Sequence, residues 1–486
     1  PQFGSVPLCP GGNVTTTTDS LDPGTLRSCV IWANSNPGAD TITLPAGVYN
    51  LTLGGQGENA AAEGDLDVTE ALTINGAGAS STTIDANSID RVFDLQPGAA
   101  LTASGMTIRN GNPGGNDGGG ILGEARLQLS DVVLTANITS GNGGGIYCND
   151  PACDITLTNV VVSANQGKDG GGVFLRDAVA VSLTDVTLDG NTGTATGGAL
   201  YLQDNAVTIN GATFSGNSAQ DGGGIFFKGG TLDVTNATFS GNTVSAEGGG
   251  LVMDSGDVTF TNVTATGNSA PGGNGAGIQH KGGTITLRNT IVANSVTGDN
   301  CTGTVVSAGY NLDSANTCAF GGTGDQVNTN PLLGALADNG GPTFTHALTT
   351  GSPAIDAGTT TGAPAVDQRG VARGIDSDGT PNSPVTGDYD IGAYESTAPA
   401  NTISGTVFED VDFAGTATDW DTGVTDVGLP NVDVELYNAG DDSFVASTTT
   451  DGSGNYSFNV ADGNYKVRVR SATIGDDPGG PDETPP

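Results

Sequence analysis

One phrase recurs along the middle of the chain. ATFSGNSAQDGGGIFF (212–227) is followed by ATFSGNTVSAEGGGLVM (237–253), and weaker copies flank both. The aliphatic residue after each glycine cluster falls at Ile121, Ile146, Val173, Leu200, Ile225, Leu251 and Ile278, with successive differences of 25, 27, 27, 25, 26 and 27. Asparagine gives a second series, at Asn137, Asn165, Asn191, Asn217, Asn242, Asn268 and Asn294, with differences of 28, 26, 26, 25, 26 and 26. Two independent markers keeping one period define a repeat. Between them lie runs such as TLDVTNATF and TITLRNTIV, too short for helices and rich in Thr, Val, Ile and Phe, which predict short strands.

A repeat of three short strands and three turns cannot bury its apolar face alone. Coiling the chain so that each strand pairs with the same strand of the next turn satisfies the backbone and gives a continuous narrow core. The expected fold is therefore all-β: a right-handed parallel β-helix of about 26 residues per rung and roughly ten rungs, about 50 Å long at ~4.8 Å per rung. Composition agrees. The 486 residues include 80 glycines without a three-residue period, and aromatics are only 5%, which suits thin stacked coils better than a thick core.

The phrase then resolves into parts. The seven asparagines form a stacked ladder at a bend, as side-chain amides do in cross-β structures. The glycines permit tight turns with positive φ. Alternation puts the aliphatic series inward, together with Gly123, Cys148, Leu175, Leu202, Phe227, Met253 and His280 two residues on. The intervening column, Leu122, Tyr147, Phe174, Tyr201, Phe226, Val252 and Gln279, points outward although six of its seven members are apolar and four are aromatic. An exposed apolar stripe marks an interface. The candidates are another subunit, a later domain of the chain, or the faces of sugar rings; the alternatives are an overlying loop or cross-strand aromatic packing that only favours strands.

The boundaries that follow are a cap (1–40), the β-helix (41–325), a closing segment (326–396), a linker (397–402), a small β-sandwich (403–471) and a Pro/Gly-rich tail (472–486). In DPGTLRSCVIWANSNPG the apolar Leu26, Val30 and Ala33 predict an amphipathic helix ended by Pro37 and Gly38. Such a cap is what an open β-helix end requires. Six cysteines fall into local pairs, Cys9 with Cys29, Cys148 with Cys153 and Cys301 with Cys318, which read as disulfides formed in an oxidising compartment. The expected location is secreted, extracellular or cell-surface, with any signal peptide already removed.

The formal charge is −39, from 53 acids against 14 bases. Such a surface repels nucleic acid and anionic membrane and favours divalent cations. No apolar run reaches the ~20 residues of a membrane span.

Three resemblances add to this reading. VTTTTDSLDPGTLRSCVIWANSNPGADTITLPAGVYNLTL resembles the opening of secreted bacterial and archaeal β-helix proteins with a CSLREA-type N-terminal region. NPLLGALADNGGPTFTHALTTGSPAIDAG, VDQRGVAR and DYDIGAYE, between Asn330 and Glu395, resemble the choice-of-anchor Q domain. That resemblance implies a cell-envelope protein and no particular activity. GTVFED, GLPNVDVELY and TTTDGSGNYSF resemble SdrD B-like modules of surface adhesins, stalk units that bind calcium in the loop after the first strand. The resemblance maps that loop onto Asp410, Asp412, Asp419, Asp421 and Asp426, although FAGTATDW interrupts the family's tighter spacing. Carboxylates this close need a hard cation or full solvation. Asp376, Asp378, Asp388 and Asp390 form a weaker acidic group. The module also looks short after Val469, and a missing strand would leave an edge for another chain to fill.

Catalysis is not expected. β-Helical hydrolases carry N-T-D, D-D, G-H-G and R-x-K in successive rungs, and the repeats contain none of these. Asp185, Asp189, Asp204 and Arg176 form no compact lyase-like pattern, and glycosidases need two carboxylates at a set separation. His280 replaces Phe227 in an inward column, and His346 belongs to the T-H-A-L phrase of the closing segment. The sequence therefore points to adhesion or self-assembly into a filament or surface layer, with the chain itself as partner. The second reading is a carbohydrate-binding adhesin whose partner is a surface glycan held by the outward aromatics. A polysaccharide-degrading enzyme is the third.

Overall fold

The computed structural model describes residues 9–178, 180–375, 388–397, 401–409, 427–440, 442–460 and 464–470. Chain packing divides into two units, one of Pro1–Ile375 with Asn382–Ser396 and one of Asp376–Pro381 with Thr397–Pro486.

The first unit is a parallel β-helix of about nine turns of about 26 residues, one fewer than the sequence period suggested. Its register is the one the repeat predicts. Ile121, Ile146, Val173, Leu200, Ile225, Leu251 and Ile278 are successive Cα partners. Each is at most 1% exposed. A second inward series, Leu129, Leu157, Leu183, Ile209, Val234, Phe260 and Leu287, stacks in the same way. Aromatic rings stack inside as well: Phe214 lies on Phe239 with centroids 4.5 Å apart and planes 2° apart. The inward column from Gly123 to Met253 is buried, whereas His280 is half-buried with Nε2 3.2 Å from Gly283 O.

The asparagine ladder is present over six of its seven members. Asn137, Asn165, Asn191, Asn217 and Asn242 each donate Nδ2–H to Oδ1 of the next asparagine, at 2.9–3.0 Å, ending at Asn268. Asn294 is not part of it. The exposed Asn294 occupies the left-handed bend at φ 55°, where the rungs before it have Gly267 and Gly241. Asparagine tolerates that conformation because its short polar side chain is compatible with αL. Ser295 takes the ladder position one residue later, and its N–H and hydroxyl donate to Asn300 Oδ1. A marker one residue out of phase still keeps the period, which is why spacing alone placed Asn294 in the column.

The expected helix is present over Leu26–Ser35. Thr25 caps it: its hydroxyl accepts from Ser28 N–H, and Ser28 Oγ accepts from Thr25 N–H, both at 3.1 Å. Leu26, Val30 and Ala33 are buried against the first rung, and Cys9–Cys29 ties the helix to the chain before it. Cys148–Cys153 and Cys301–Cys318 are also bonded. Arg27, which the amphipathic pattern did not single out, is wholly buried. Its guanidinium donates to Asp19 Oδ1 at 2.7 Å and to the carbonyls of Ala61, Gly64 and Asp65 at 2.8–3.0 Å.

After the last rungs the chain turns back. An antiparallel hairpin, Leu333–Ala337 with Thr345–Leu348, begins a strap, described over 333–375 and 388–396, that covers one face of the helix.

In the second unit antiparallel sheets surround Val434, Leu436, Phe458 and Val460. Asn401–Thr406 pairs with Asn455–Val460, and Asp433–Asn438 lies between Phe444–Thr449 and Tyr465–Val469. The last described strand thus pairs within the chain on one side. Its far edge has no strand among the described residues.

Candidate interaction surface

The outward column is built by the turn before it. Gly143 has φ 66°, and a Cβ there would come within 2.7 Å of Tyr147 Cα; at Gly222, also at 66°, it would come within 2.9 Å of Phe226 Cβ. The turn therefore folds directly over the outward residue, which explains the first glycine of each cluster. The column is correspondingly less open than an exposed stripe. Phe174 is 5% exposed, Val252 0% and Gln279 8%, whereas Leu122, Tyr147, Tyr201 and Phe226 are half-buried.

The rings stack on each other. Centroid distances are 5.0 Å for Tyr147–Phe174, 4.7 Å for Phe174–Tyr201 and 5.5 Å for Tyr201–Phe226, with planes within 15°. Inner ring faces are therefore occupied by neighbouring rings, and solvent meets mainly edges. A sugar that packs on an aromatic face would find one only at the two ends of the stack. A polar column, Asn149, Arg176, Gln203 and Lys228, runs beside it in register. Arg176 Nε donates to Asn149 Oδ1 at 2.7 Å, and Tyr201 donates to Gln203 Oε1 at 2.9 Å.

Toward the N-terminus the same column changes character. Asp67 pairs with Asp94, and Asp94 with Leu122. Asp65 and Asp90 are buried beside them, and Arg91 Nη1 reaches Asp65 at 2.9 Å and Asp94 at 3.4 Å. Burial, reinforced by the Asp90 charge and opposed by Arg91, pushes Asp65 up to about 8. Burial also lifts Asp67 to about 7 against the Ala61 N–H that donates to it. Asp90 and Asp94 move upward for the same main reason. The signal in the sequence was LDV (66–68) and FDL (93–95), 27 residues apart in the repeat's own period.

The face under the strap was also missed. Between the second and third strands every rung bends through a left-handed residue, among them Asp131, Asn159, Asp185, Asn236, Asn262 and Asn289. Where the strap lies, these asparagines hold its backbone. Asn236 donates to Val366 O at 2.9 Å, Asn262 to Gly392 O at 3.2 Å and Asn289 to Thr359 O at 2.8 Å. Two residues on, Thr213 donates to Phe344 O at 2.6 Å, Thr238 donates to Gln368 Oε1 at 2.7 Å, and Thr264 accepts from Ala393 N–H at 3.0 Å. His346 donates Nδ1–H to Gly334 O at 2.8 Å and its Nε2 lies 2.9 Å from Ser240 Oγ; burial lowers its pKa.

The strap is organised around buried charges. Arg373 bridges Glu395 at 3.2 Å and donates to Asn236 Oδ1 at 3.0 Å. Asp390 Oδ1 accepts from Asp356 N–H at 2.7 Å, and Oδ2 accepts from Ser396 N–H. Burial raises both Asp390 and Glu395, and the Glu395 charge adds to the effect on Asp390. Both oxygens of Asp390 thus accept from backbone donors. Asp388 lies in the turn just before it. Asp376, Asp378, Asp410, Asp412, Asp419, Asp421 and Asp426 lie outside the described residues. Among the described residues, no group of three or more acidic, histidine or cysteine side chains is arranged to hold a metal ion, and no helix is long and apolar enough to cross a membrane.

No curated protein matches the chain. Family comparison finds two local similarities. Residues 171–330 are similar to the right handed beta helix region, and residues 401–478 to the SdrD B-like domain.

Proposed function

We propose that this chain is a secreted structural protein of a cell surface, acting in adhesion or in self-assembly into an extracellular filament or surface layer. The observation that carries the reading is the pairing of a disulfide-tied β-helix with a terminal SdrD B-like module, a type found in surface adhesins. The resemblances of the N-terminus to CSLREA-type openings and of 330–395 to choice-of-anchor Q domains support the same location. The asparagine ladder, the turn glycines and the strap all serve to hold the rod together.

The acidic loop of the terminal module, Asp410 to Asp426, is proposed to bind calcium. Chelation should then lower the melting temperature of the module, and replacing Asp410 and Asp412 by Asn should remove the difference. Glycan binding along Tyr147, Phe174, Tyr201 and Phe226 is the second reading. It would rest on ring edges and the flanking polar column, a geometry less suited to sugar stacking than open ring faces. We take the chain to be non-enzymatic; release of new reducing ends or unsaturated products from acidic polysaccharides would contradict that.

Sedimentation of the purified chain tests the main reading. Ordered polymers that respond to calcium or salt are expected. A monomer at every salt and calcium concentration would contradict self-assembly and leave only adhesion.

A further inference from the structure

The strap covers only part of its face. The outward column after the left-handed bend reads Thr107, Val133, Val161, Thr187, Thr213, Thr238, Thr264, Ile291 and Leu312 along the axis. From Thr213 onward each is at most 2% exposed under the strap. The four before it are half-buried only. The face is therefore stepped: five rungs raised by the strap, four recessed. At the step Phe344 is 51% and Val366 42% exposed, and a cleft of about 270 Å³ opens between Asp185 and Pro342, Val366 and Arg369.

Single surface valines are ordinary. These two differ in position. Val133 and Val161 continue the very column that the strap buries, and they stand where covered rungs carry threonines that bond the strap. The open face is thus continuous with an interface the molecule already forms, and the raised edge beside it ends in exposed apolar side chains.

We propose that this stepped face is the contact between two copies of the chain, a proposal that rests on the self-assembly reading. A half-turn about an axis lying in the contact plane and perpendicular to the rod sets the raised strap tip of one copy, Phe344 and Val366, over the recess of the other, Val133 and Val161, and the reverse. The contact is isologous, the commonest form of closed pairing. Four recessed rungs against five raised ones make the two levels interlock. Charge opposes the pairing: each copy is at −39, and Asp131, Asp185 and Asp189 border the recess. Salt should therefore strengthen the contact, because screening lengths fall from about 8 Å at physiological salt to about 3 Å at 1 M.

The test uses two single-cysteine variants of the full chain, Val161→Cys and Phe344→Cys, whose native cysteines are all disulfide-bonded. Mixing them should give a cross-linked heterodimer that neither forms alone, in yield rising with salt. Val161→Asp and Phe344→Asp should each raise the concentration needed for association about tenfold or more, with the melting temperature held. Phe344→Asp sits on an exposed tip, so it keeps the test valid if Val161→Asp fails to fold. Association that persists in both Asp variants without trans cross-linking would overturn this contact and leave self-assembly standing. A wild-type chain that stays monomeric at all salt concentrations would overturn both.

Discussion

Asn191 and Asn217, one rung apart, share a single oxygen: Asn217 Oδ1 accepts from Asn191 Nδ2 at 3.0 Å and from Asn191 backbone N–H at 2.9 Å. Asn217 Nδ2 in turn donates to Leu188 O at 2.9 Å, and both asparagines are 0% exposed. One side chain thus satisfies three groups of the rung before it. Asn217→Ala removes the acceptor of the Asn191 N–H and of one Asn191 Nδ2–H, whose other bond to Val162 O remains, and the donor to Leu188 O, where water does not reach; at about 1–3 kcal/mol per lost partner, a loss of about 3 kcal/mol or more is expected in denaturant unfolding. Asn294→Gly, outside the ladder, should be near neutral because glycine adopts the same left-handed backbone.

Arg27 should behave as an N-terminal keystone. Its partner Asp19 is nearly as buried as itself. Arg27→Ala takes the cation from that carboxylate, which keeps the Thr52 and Leu53 N–H groups, and the donor from three carbonyls; breaking a buried pair costs about 3–5 kcal/mol. Lysine cannot reproduce a fork serving four acceptors. Both Arg27→Ala and Arg27→Lys should lower the melting temperature and expose the 53–64 loop to protease. An unchanged digestion pattern would refute the role.

The Asp65, Asp67, Asp90 and Asp94 cluster makes the same end of the rod pH-sensitive. All four carboxyls are raised in the folded chain, Asp65 to about 8 and Asp67 to about 7. The folded state then holds protons that the unfolded chain releases near pH 4. The stabilisation is complete below that pH and is lost as pH rises toward 7–8. Hydrogen exchange over residues 53–96, corrected for intrinsic rates, should speed up between pH 5 and 8. Asp65→Asn with Asp67→Asn should flatten the dependence.

Gln368 locks the strap. Its Nε2 lies 2.9 Å from the hydroxyls of both Thr213 and Thr343, and its Oε1 accepts from Thr238, with the residue 2% exposed. Gln368→Ala should free the strap for proteolysis at 340–370 while the rungs before Thr187 keep their protection. Simultaneous loss of both would show that strap and rungs form one cooperative unit.

The rod was legible because a solenoid writes its period into the sequence, and inward and outward columns follow from alternation alone. Phase was harder. Asn294 keeps the spacing yet sits in the bend, since a count of residues does not distinguish an amide in the ladder from one in the left-handed turn beside it. Exposure was also harder: whether Phe226 faces solvent depends on how closely Gly222 folds over it. The strap face was invisible because Thr213, Thr238 and Thr264 look like solvent-facing strand residues until a segment about 130 positions later covers them.

Self-assembly is the claim on which the functional account turns, and electron microscopy of the purified full chain at low and high salt tests it most directly. The account predicts ordered filaments or layers that grow with salt, built from rods paired side by side through the stepped face. Isolated, unassociated rods at every salt concentration would contradict it.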